Sequence, residues 1–442
     1  MFTSDFNISS KSKAIIVSMI CPNLVGHDTE IETNRSLSEL KELLRTLGII
    51  HVDSIVQNKK VIDAATALGK GKIEEIANRA NELDAKLLVF DFELSAGQIN
   101  NIQEIAQIDV ADRNHIILEI FARHARTKES KVQIEIARLQ YLLPRLKGLW
   151  AHFSRQRGGV GVLGGEGEKQ IELDRRLIRD RIEFLKRQLK DVITSRDEQK
   201  KRRKEQVVTA AIVGYTNAGK SSIMNRLCQV NVLEEDKLFA TLDSTVRTLN
   251  PDTKPPMVLV DTVGFISNLP NTLIDGFKTT LESAIDADLL IIVCDISDPH
   301  YKKQLEVTQE VLKELGISDK QQMIIFNKKD LLQDELLKKI VLRTYPHSHI
   351  VSSYDQTDMK NLRSIIINYF LEKQNIYDLF IPYTEGSAHS VVASKANLVA
   401  QHPHETGIFY RIRIPEFIFN TLGIHQYILA PKDPHRKIFE TN

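Results

Sequence analysis

Along residues 1–120, short apolar runs alternate with stretches in which apolar residues recur every three or four positions. Residues 14–20 and 86–90 read as strands, and 36–47, 71–83 and 95–106 as helices. That alternation predicts an α/β layer domain with a largely parallel sheet. From about residue 122 the period changes. Val132, Ile136, Leu139, Leu143 and Leu146 step by four and three, as do Ile178, Ile182, Leu185, Leu189 and Val192, so two long helices are expected to pack as an antiparallel hairpin. Pro144 is expected to kink the first. Between them, GGVGVLGGEGEK at 158–169 is too rich in glycine for a helix and reads as a turn or extended loop.

After the charged run KKRRKE at 200–205, the apolar VVTAAIVG opens a second α/β pattern that runs to about residue 373. In the last stretch Ile408, Tyr410, Ile412 and Ile414 alternate with Phe409, Arg411 and Arg413, the signature of a half-buried strand in an α+β module.

A length of 442 residues suits roughly three domains. Apolar content of 42% against 26% charged residues is the balance of a soluble globular protein, not of a disordered or fibrous one. Cys21, Cys228 and Cys294 are scattered without metal-ligand spacing, so neither a disulfide framework nor a zinc site is expected. The polar start lacks an apolar core and the apolar runs are strand-sized, so neither a signal peptide nor a transmembrane segment is expected. The expected location is the cytoplasm.

The chemistry concentrates between residues 214 and 353. GYTNAGKS, from Gly214 through Tyr215, Thr216, Asn217, Ala218, Gly219 and Lys220 to Ser221, matches a phosphate-binding loop and follows an apolar strand. Glycines let backbone amides close around phosphate oxygens, and the next helix adds a favourable dipole. Lys220 offers a point charge to the outer phosphates, and the Ser221 hydroxyl a ligand for Mg2+. MVLVDTVG then delivers Asp261 at the end of another apolar strand, where a carboxylate can hold the metal through water, and Gly264, whose amide can meet the terminal phosphate. MIIFNKKD delivers Asn327, Lys328 and Asp330. A carboxylate accepts from guanine's ring N–H and exocyclic amine together, a donor pair that adenine lacks, so the base is guanine. After the apolar run that ends at Val351, the pair Ser352 and Ser353 resembles the position at which guanine-nucleotide-binding families bring backbone to the guanine oxygen. LFATLDSTVR offers Thr241 or Thr245 to close on the metal, with Thr241 favoured. Phe239, Ala240, Thr241, Leu242 and Asp243, with Asp261, Thr262, Val263 and Gly264, are the candidate switch segments, ordered by a third phosphate and released on its loss.

This order and spacing resemble the Ras-like GTPase fold. One departure stands out: Phe265 occupies the place of the water-orienting glutamine. Phenylalanine cannot orient water, so low intrinsic turnover, stimulated by a partner, is expected. Asn217 stands where potassium-responsive relatives carry a cation-ligating asparagine, and equally where a turn favours asparagine. The fold class expected is multidomain α/β: an N-terminal α/β domain (1–121), a helical hairpin with a Gly-rich tip (122–205), a Ras-like P-loop GTPase domain (206–373) and a small C-terminal α+β domain (374–442).

A narrower resemblance is carried by LGKGKIEEI at 68–76, the block at 112–146, GEKQIELDRRLIRDRI at 167–182, LFATLDSTVR, DTVGF and IPYTEGSAHS at 381–390. On these residues the chain resembles the HflX family of ribosome-associated GTPases over nearly its whole length. The resemblance implies GTP and GDP as ligands, Mg2+ as cofactor with K+ the candidate second cation, and action as a monomer in the stress response. The implied partner is the large ribosomal subunit and its rRNA, with stalled or idle ribosomes split. It also implies that the loop at 158–169 reaches toward the peptidyl transferase centre, making Arg155, Arg157, Gly158, Gly159, Gly161, Gly164, Gly165 and Gly167 candidate rRNA-facing residues. Where the family's loop reads RGPGE, this chain has Gly164 for the arginine and Glu166 for the proline.

Independently of family, Arg123, Arg126, Lys128, Lys131, Arg138, Arg145, Lys147, Arg155 and Arg157 outweigh Glu129 and Glu135, which favours a phosphate backbone. A solvated helix face is the plainer alternative. Trp150, His152 and Phe153 could stack on bases or cap the hairpin core. The GxGxxG match at Gly159, Gly161 and Gly164 is rejected for want of a preceding strand. His402 and His404 read as a surface turn, and Asp112 with Arg113 as a structural ion pair. Two rival functions stay open: an RNA-binding module for which GTP is only an occupancy signal, and a GTPase of the tRNA-modification type.

Overall fold

A computed structural model of the chain describes residues 12–146, 165–204, 207–228, 239, 245–266, 284–332, 334–430 and 433–439. The chain divides into two compact units. The first comprises Met1–Ile193, Glu235–Asp243 and Val263–Leu281, the second Thr194–Glu234, Ser244–Thr262 and Glu282–Asn442.

In the first unit, β1 (Lys13–Ile20), α1 (Glu30–Leu47), β2 (Ile50–Asn58), α2 (Lys70–Glu82), β3 (Leu87–Phe90), α3 (Ala96–Ala106) and β4 (Asp109–Asp112) alternate. The strands form a four-stranded sheet in the order β2-β1-β3-β4, parallel throughout. Local signals set the helix ends. Thr29 accepts from the Glu32 amide, Gly48 closes α1 at φ 74°, and Ser95 with Gln98 forms a reciprocal capping box on α3. The two strands that the sequence pattern does not reveal are β2, whose IHVDSIVQN mixes polar residues into an edge, and β4, which is only four residues long.

Helix α4 (Arg113–His124) leads into α5 (Lys128–Leu142). Pro144 does not kink α5; it lies in a 3-10 turn, Leu143–Arg145, that ends the helix, as expected of a residue that cannot donate back. Across from α5 runs α6 (Gly165–Lys204), and the predicted stripes meet: Val132, Ile136, Leu139 and Leu146 pack with Ile178, Ile182 and Leu185. Arg181 donates to Glu135 across the pair at 2.8 and 3.0 Å. The loop expected at 158–169 is corrected at one end. Gly165 and Gly167 are helical.

Two further expectations change. Asp112 and Arg113 do not pair with each other. Arg113 pairs with Asp91 (2.9 Å) and with Glu39, whereas Asp112 accepts from the Tyr141 hydroxyl (2.9 Å) and faces Arg145 (3.6 Å). Arg138 and Arg145, counted toward an RNA-facing surface, are engaged internally: Arg138 bonds the buried Glu119 at 2.5 Å, and Arg145 lies 3.6 Å over the Tyr141 ring. Arg123, Arg126, Lys128 and Lys131 are exposed. Lys147, Arg155, Arg157, Trp150, His152, Phe153, Gly158, Gly159, Gly161 and Gly164 lie outside the described residues.

The second unit is built on β5 (Val208–Gly214), α7 (Lys220–Leu227), β6 (Thr245–Asn250), β7 (Met257–Asp261), β8 (Leu289–Asp295), α8 (Tyr301–Glu314), β9 (Gln322–Asn327), α9 (Glu335–Thr344), β10 (His349–Ile350) and α10 (Gln356–Glu372). Its six-stranded sheet has the order β10-β9-β8-β5-β7-β6, with only β6 antiparallel. After β11 (Asn375–Pro382) and α11 (Gly386–Lys395), strands β12 (Asn397–His404) and β13 (Gly407–Ile414) complete an antiparallel sheet in the order β11-β13-β12. The predicted alternation in β13 holds, although Phe409 is buried on the other face beside Leu429 and Phe439. His402 and His404 lie on β12, not in a turn. Asn397 ties this module to the segment between β6 and β7: its Oδ1 accepts from the Lys254 amide at 2.8 Å, and its Nδ2 donates to the Lys254 carbonyl.

Candidate guanine-nucleotide site

β5 ends on the phosphate-loop sequence for a steric reason. Gly214 has φ 144°, and a Cβ there would stand 2.2 Å from the Val293 carbonyl oxygen of β8. Asn217 (φ 59°) and Gly219 (φ 88°) take left-handed conformations, so the loop needs residues that tolerate them. A Cβ on Gly219 would meet Asn327 Nδ2 at 2.2 Å. Asn217 is exposed, and its backbone conformation alone accounts for an asparagine.

The loop delivers Lys220 into a buried position, where its Nζ donates to the Tyr215 carbonyl at 2.8 Å. Burial lowers its pKa to about 8, partly offset by Asp261. Ser221 Oγ donates to Asp261 Oδ2 at 2.7 Å, so the two residues predicted to serve one magnesium ion are already side by side. Thr262 donates to the Ile212 carbonyl (2.8 Å), fixing the end of β7 against β5. The Thr216 hydroxyl is buried with no hydrogen-bond partner among the described residues.

β9 and the loop after β10 meet at the other end. Asn327 donates to the Ala218 carbonyl (3.0 Å) and accepts from the Ser353 amide (3.1 Å), joining the phosphate loop to the base-side loops. Lys328, at φ 64°, pairs with Asp295 at 2.7 Å. Ser352 Oγ donates to Asp330 Oδ1 at 2.5 Å, and the Lys329 amide donates to the Val351 carbonyl at 3.1 Å. Gly214 to Ser221, Asp261, Asn327, Lys328, Asp330 and Val351 to Ser353 thus all belong to one unit.

Phe239, Val263, Gly264 and Phe265 belong to the first unit. Phe239 is buried there with its ring edge-to-face on Phe121 of α4, centroids 4.6 Å apart, a contact that no sequence pattern signals. Phe265 is buried too. Thr245 lies on β6, while Ala240, Thr241, Leu242 and Asp243 are outside the described residues. Two residues were not anticipated: Asp295, which holds Lys328, and Asp358, which holds Lys329.

Three family profiles cover successive parts of the chain: GTP-binding GTPase N-terminal (34–122), GTP-binding GTPase Middle Region (124–203) and 50S ribosome-binding GTPase (209–328). A GTPase HflX from Lacrimispora saccharolytica is 42% identical over 90% of this chain and 94% of its own. The chain belongs to the HflX GTPase family. A second HflX relative, from Caldanaerobacter subterraneus, is 36% identical over 91% of each chain. A solved GTP-binding protein from Sulfolobus solfataricus in complex with GDP is 24% identical, with 81% of this chain and 98% of that one covered and a TM-score of 0.45. As an HflX GTPase the protein binds guanine nucleotide and hydrolyses GTP to GDP and phosphate, and its GTPase domain is of the ribosome-binding class. No helix among the described residues is long and apolar enough to cross a membrane.

Proposed function

We propose that this HflX GTPase binds the large ribosomal subunit in its GTP state and splits stalled or idle ribosomes in the cytoplasm, acting as a monomer. What supports the reading is that one chain of this family carries both the candidate phosphate- and base-side residues, held together in one unit, and a pair of packed helices. In this reading Lys220 and the amides of 214–221 hold the phosphates, with Gly264 at the terminal one. Asn327, Lys328, Asp330 and Val351 to Ser353 form the base pocket. Ser221 and Asp261, with Thr241, would hold Mg2+, which supplies positive charge to the outer phosphates. The 2.7 Å approach of the Ser221 hydroxyl to a buried carboxylate fits that donor set. Asn217 is the candidate K+ ligand.

Phe265 supplies no polar group to orient water, so slow intrinsic turnover stimulated by the subunit follows. The hairpin tip, with Arg155, Arg157 and the glycines at 158–167, is assigned to rRNA. Subunit separation followed by light scattering, with nucleotide binding followed in parallel by fluorescence, tests this assignment. Shortening the 158–164 segment is expected to impair splitting at unchanged GTP affinity. Full splitting activity without that segment would sink the role of the tip.

A further inference from the structure

Asp358, in the first turn of α10, reaches back to both loops that build the base pocket. Its Oδ2 accepts from the Ser352 amide at 2.9 Å, and both its oxygens lie 3.0 Å from Lys329 Nζ. Lys329 stands between Lys328 and Asp330, and its own amide donates to the Val351 carbonyl. Ser352, held by its amide, turns its hydroxyl onto Asp330 Oδ1, and the Tyr354 amide donates to the same hydroxyl at 3.2 Å. Asp355 in turn caps α10 by accepting from the Thr357 and Asp358 amides. The carboxylate that must face guanine is therefore oriented through Ser352 by a second carboxylate on another element.

We propose that Asp358 is a positioning residue that sets guanine affinity and selectivity by fixing Ser352, and through it Asp330. The proposal rests on the base-pocket reading above. Its physical basis is preorganisation: an Asp330 already held in the binding orientation loses little freedom when the base arrives. Of the two partners of Asp358, Ser352 dominates. Asp358 is largely buried, whereas Lys329 is 37% exposed and its ion pair is screened by solvent.

Selectivity follows from the donors on the base. Guanine presents a ring N–H and an exocyclic amine to Asp330, and hypoxanthine only the ring N–H. A misaligned Asp330 therefore costs GDP more than IDP. Asp358→Ala is expected to speed release of a fluorescent GDP analogue about tenfold and to lower the preference for GDP over IDP about fivefold, the loss of one charge-assisted hydrogen bond. Asp358→Asn keeps an acceptor for the Ser352 amide and should retain most of the selectivity. Lys329→Ala should change release by about twofold or less.

The experiment measures release rates and GDP/IDP affinity ratios on the full chain, with the unfolding temperature of each nucleotide-free variant. Asp330→Asn, measured beside them, should exchange GDP for XDP and so tests the pocket itself. If that exchange occurs while Asp358→Ala leaves the GDP/IDP ratio unchanged, the positioning role is overturned and the pocket stands. Equal loss of both nucleotides with a lowered unfolding temperature also overturns it, since that is what a merely structural residue does. Failure of the Asp330→Asn exchange removes the pocket reading, and the proposal with it.

Discussion

Lys220 shows how much of a phosphate site is decided by one side chain's surroundings. Its burial brings the pKa down from 10.5 to about 8, with Asp261 pulling the other way. The folded value lies below the unfolded one, so an ionised Lys220 costs stability at neutral pH, and that cost is relieved as pH rises from about 8 toward 10.5. In the proposed reading, a bound triphosphate would reverse the balance by setting anionic oxygens beside the ammonium. Binding above pH 8 should therefore take up a proton, approaching one per site near pH 9, while binding below pH 7 takes up almost none. Calorimetry in buffers of different ionisation enthalpy reads this directly. Absence of proton uptake at pH 9 would mean that Lys220 is not the group facing the phosphates. The residues assigned to the candidate site could be named from sequence because guanine and phosphate chemistry restrict what can stand at Lys220, Asp261, Asn327 and Asp330, and all four lie in one unit. Asp358 was not legible, since an acid in a helix's first turn is ordinary and its target Ser352 becomes visible only once β10 and α10 are folded.

At the scale of elements, the hairpin was readable from period alone because two apolar stripes must find each other. What fixes its base was not. Arg145 follows α5 and reads as one more surface cation, yet it is buried with Asp112 at the end of β4, donating to the Tyr141 and Leu94 carbonyls at 2.7 and 2.9 Å. Burial raises the Asp112 pKa despite Arg145 and the amides that bond it, so the carboxylate depends on those partners to stay ionised. Arg145→Met is expected to destabilise the first unit by about 3–5 kcal/mol, because it leaves a buried carboxylate without its cation. Adding Asp112→Asn, which keeps the hydrogen-bond acceptor and removes the charge, should recover much of that loss. Urea unfolding of the single and double variants measures the coupling, and strictly additive losses would show that the pair does not act as one.

At the scale of the molecule, the chain passes between its two units at 193/194, 234/235, 243/244, 262/263 and 281/282, and two of these boundaries, 243/244 and 262/263, fall at the segments read as switches. Phe239, with Val263 to Phe265, belongs to the first unit, while Ser221 and Asp261 belong to the second. If the large subunit prefers the GTP-bound form by some factor, thermodynamic linkage requires it to favour GTP over GDP by that same factor. A coupling in the usual range is about 5- to 150-fold. Subunit affinity with GDP and with a non-hydrolysable GTP analogue gives the factor from one side. The ratio of analogue to GDP affinity, with and without saturating subunit, gives it from the other. A ratio of one on both sides would leave GTP without any energetic link to ribosome binding. Acceleration of hydrolysis is a kinetic matter that linkage does not fix.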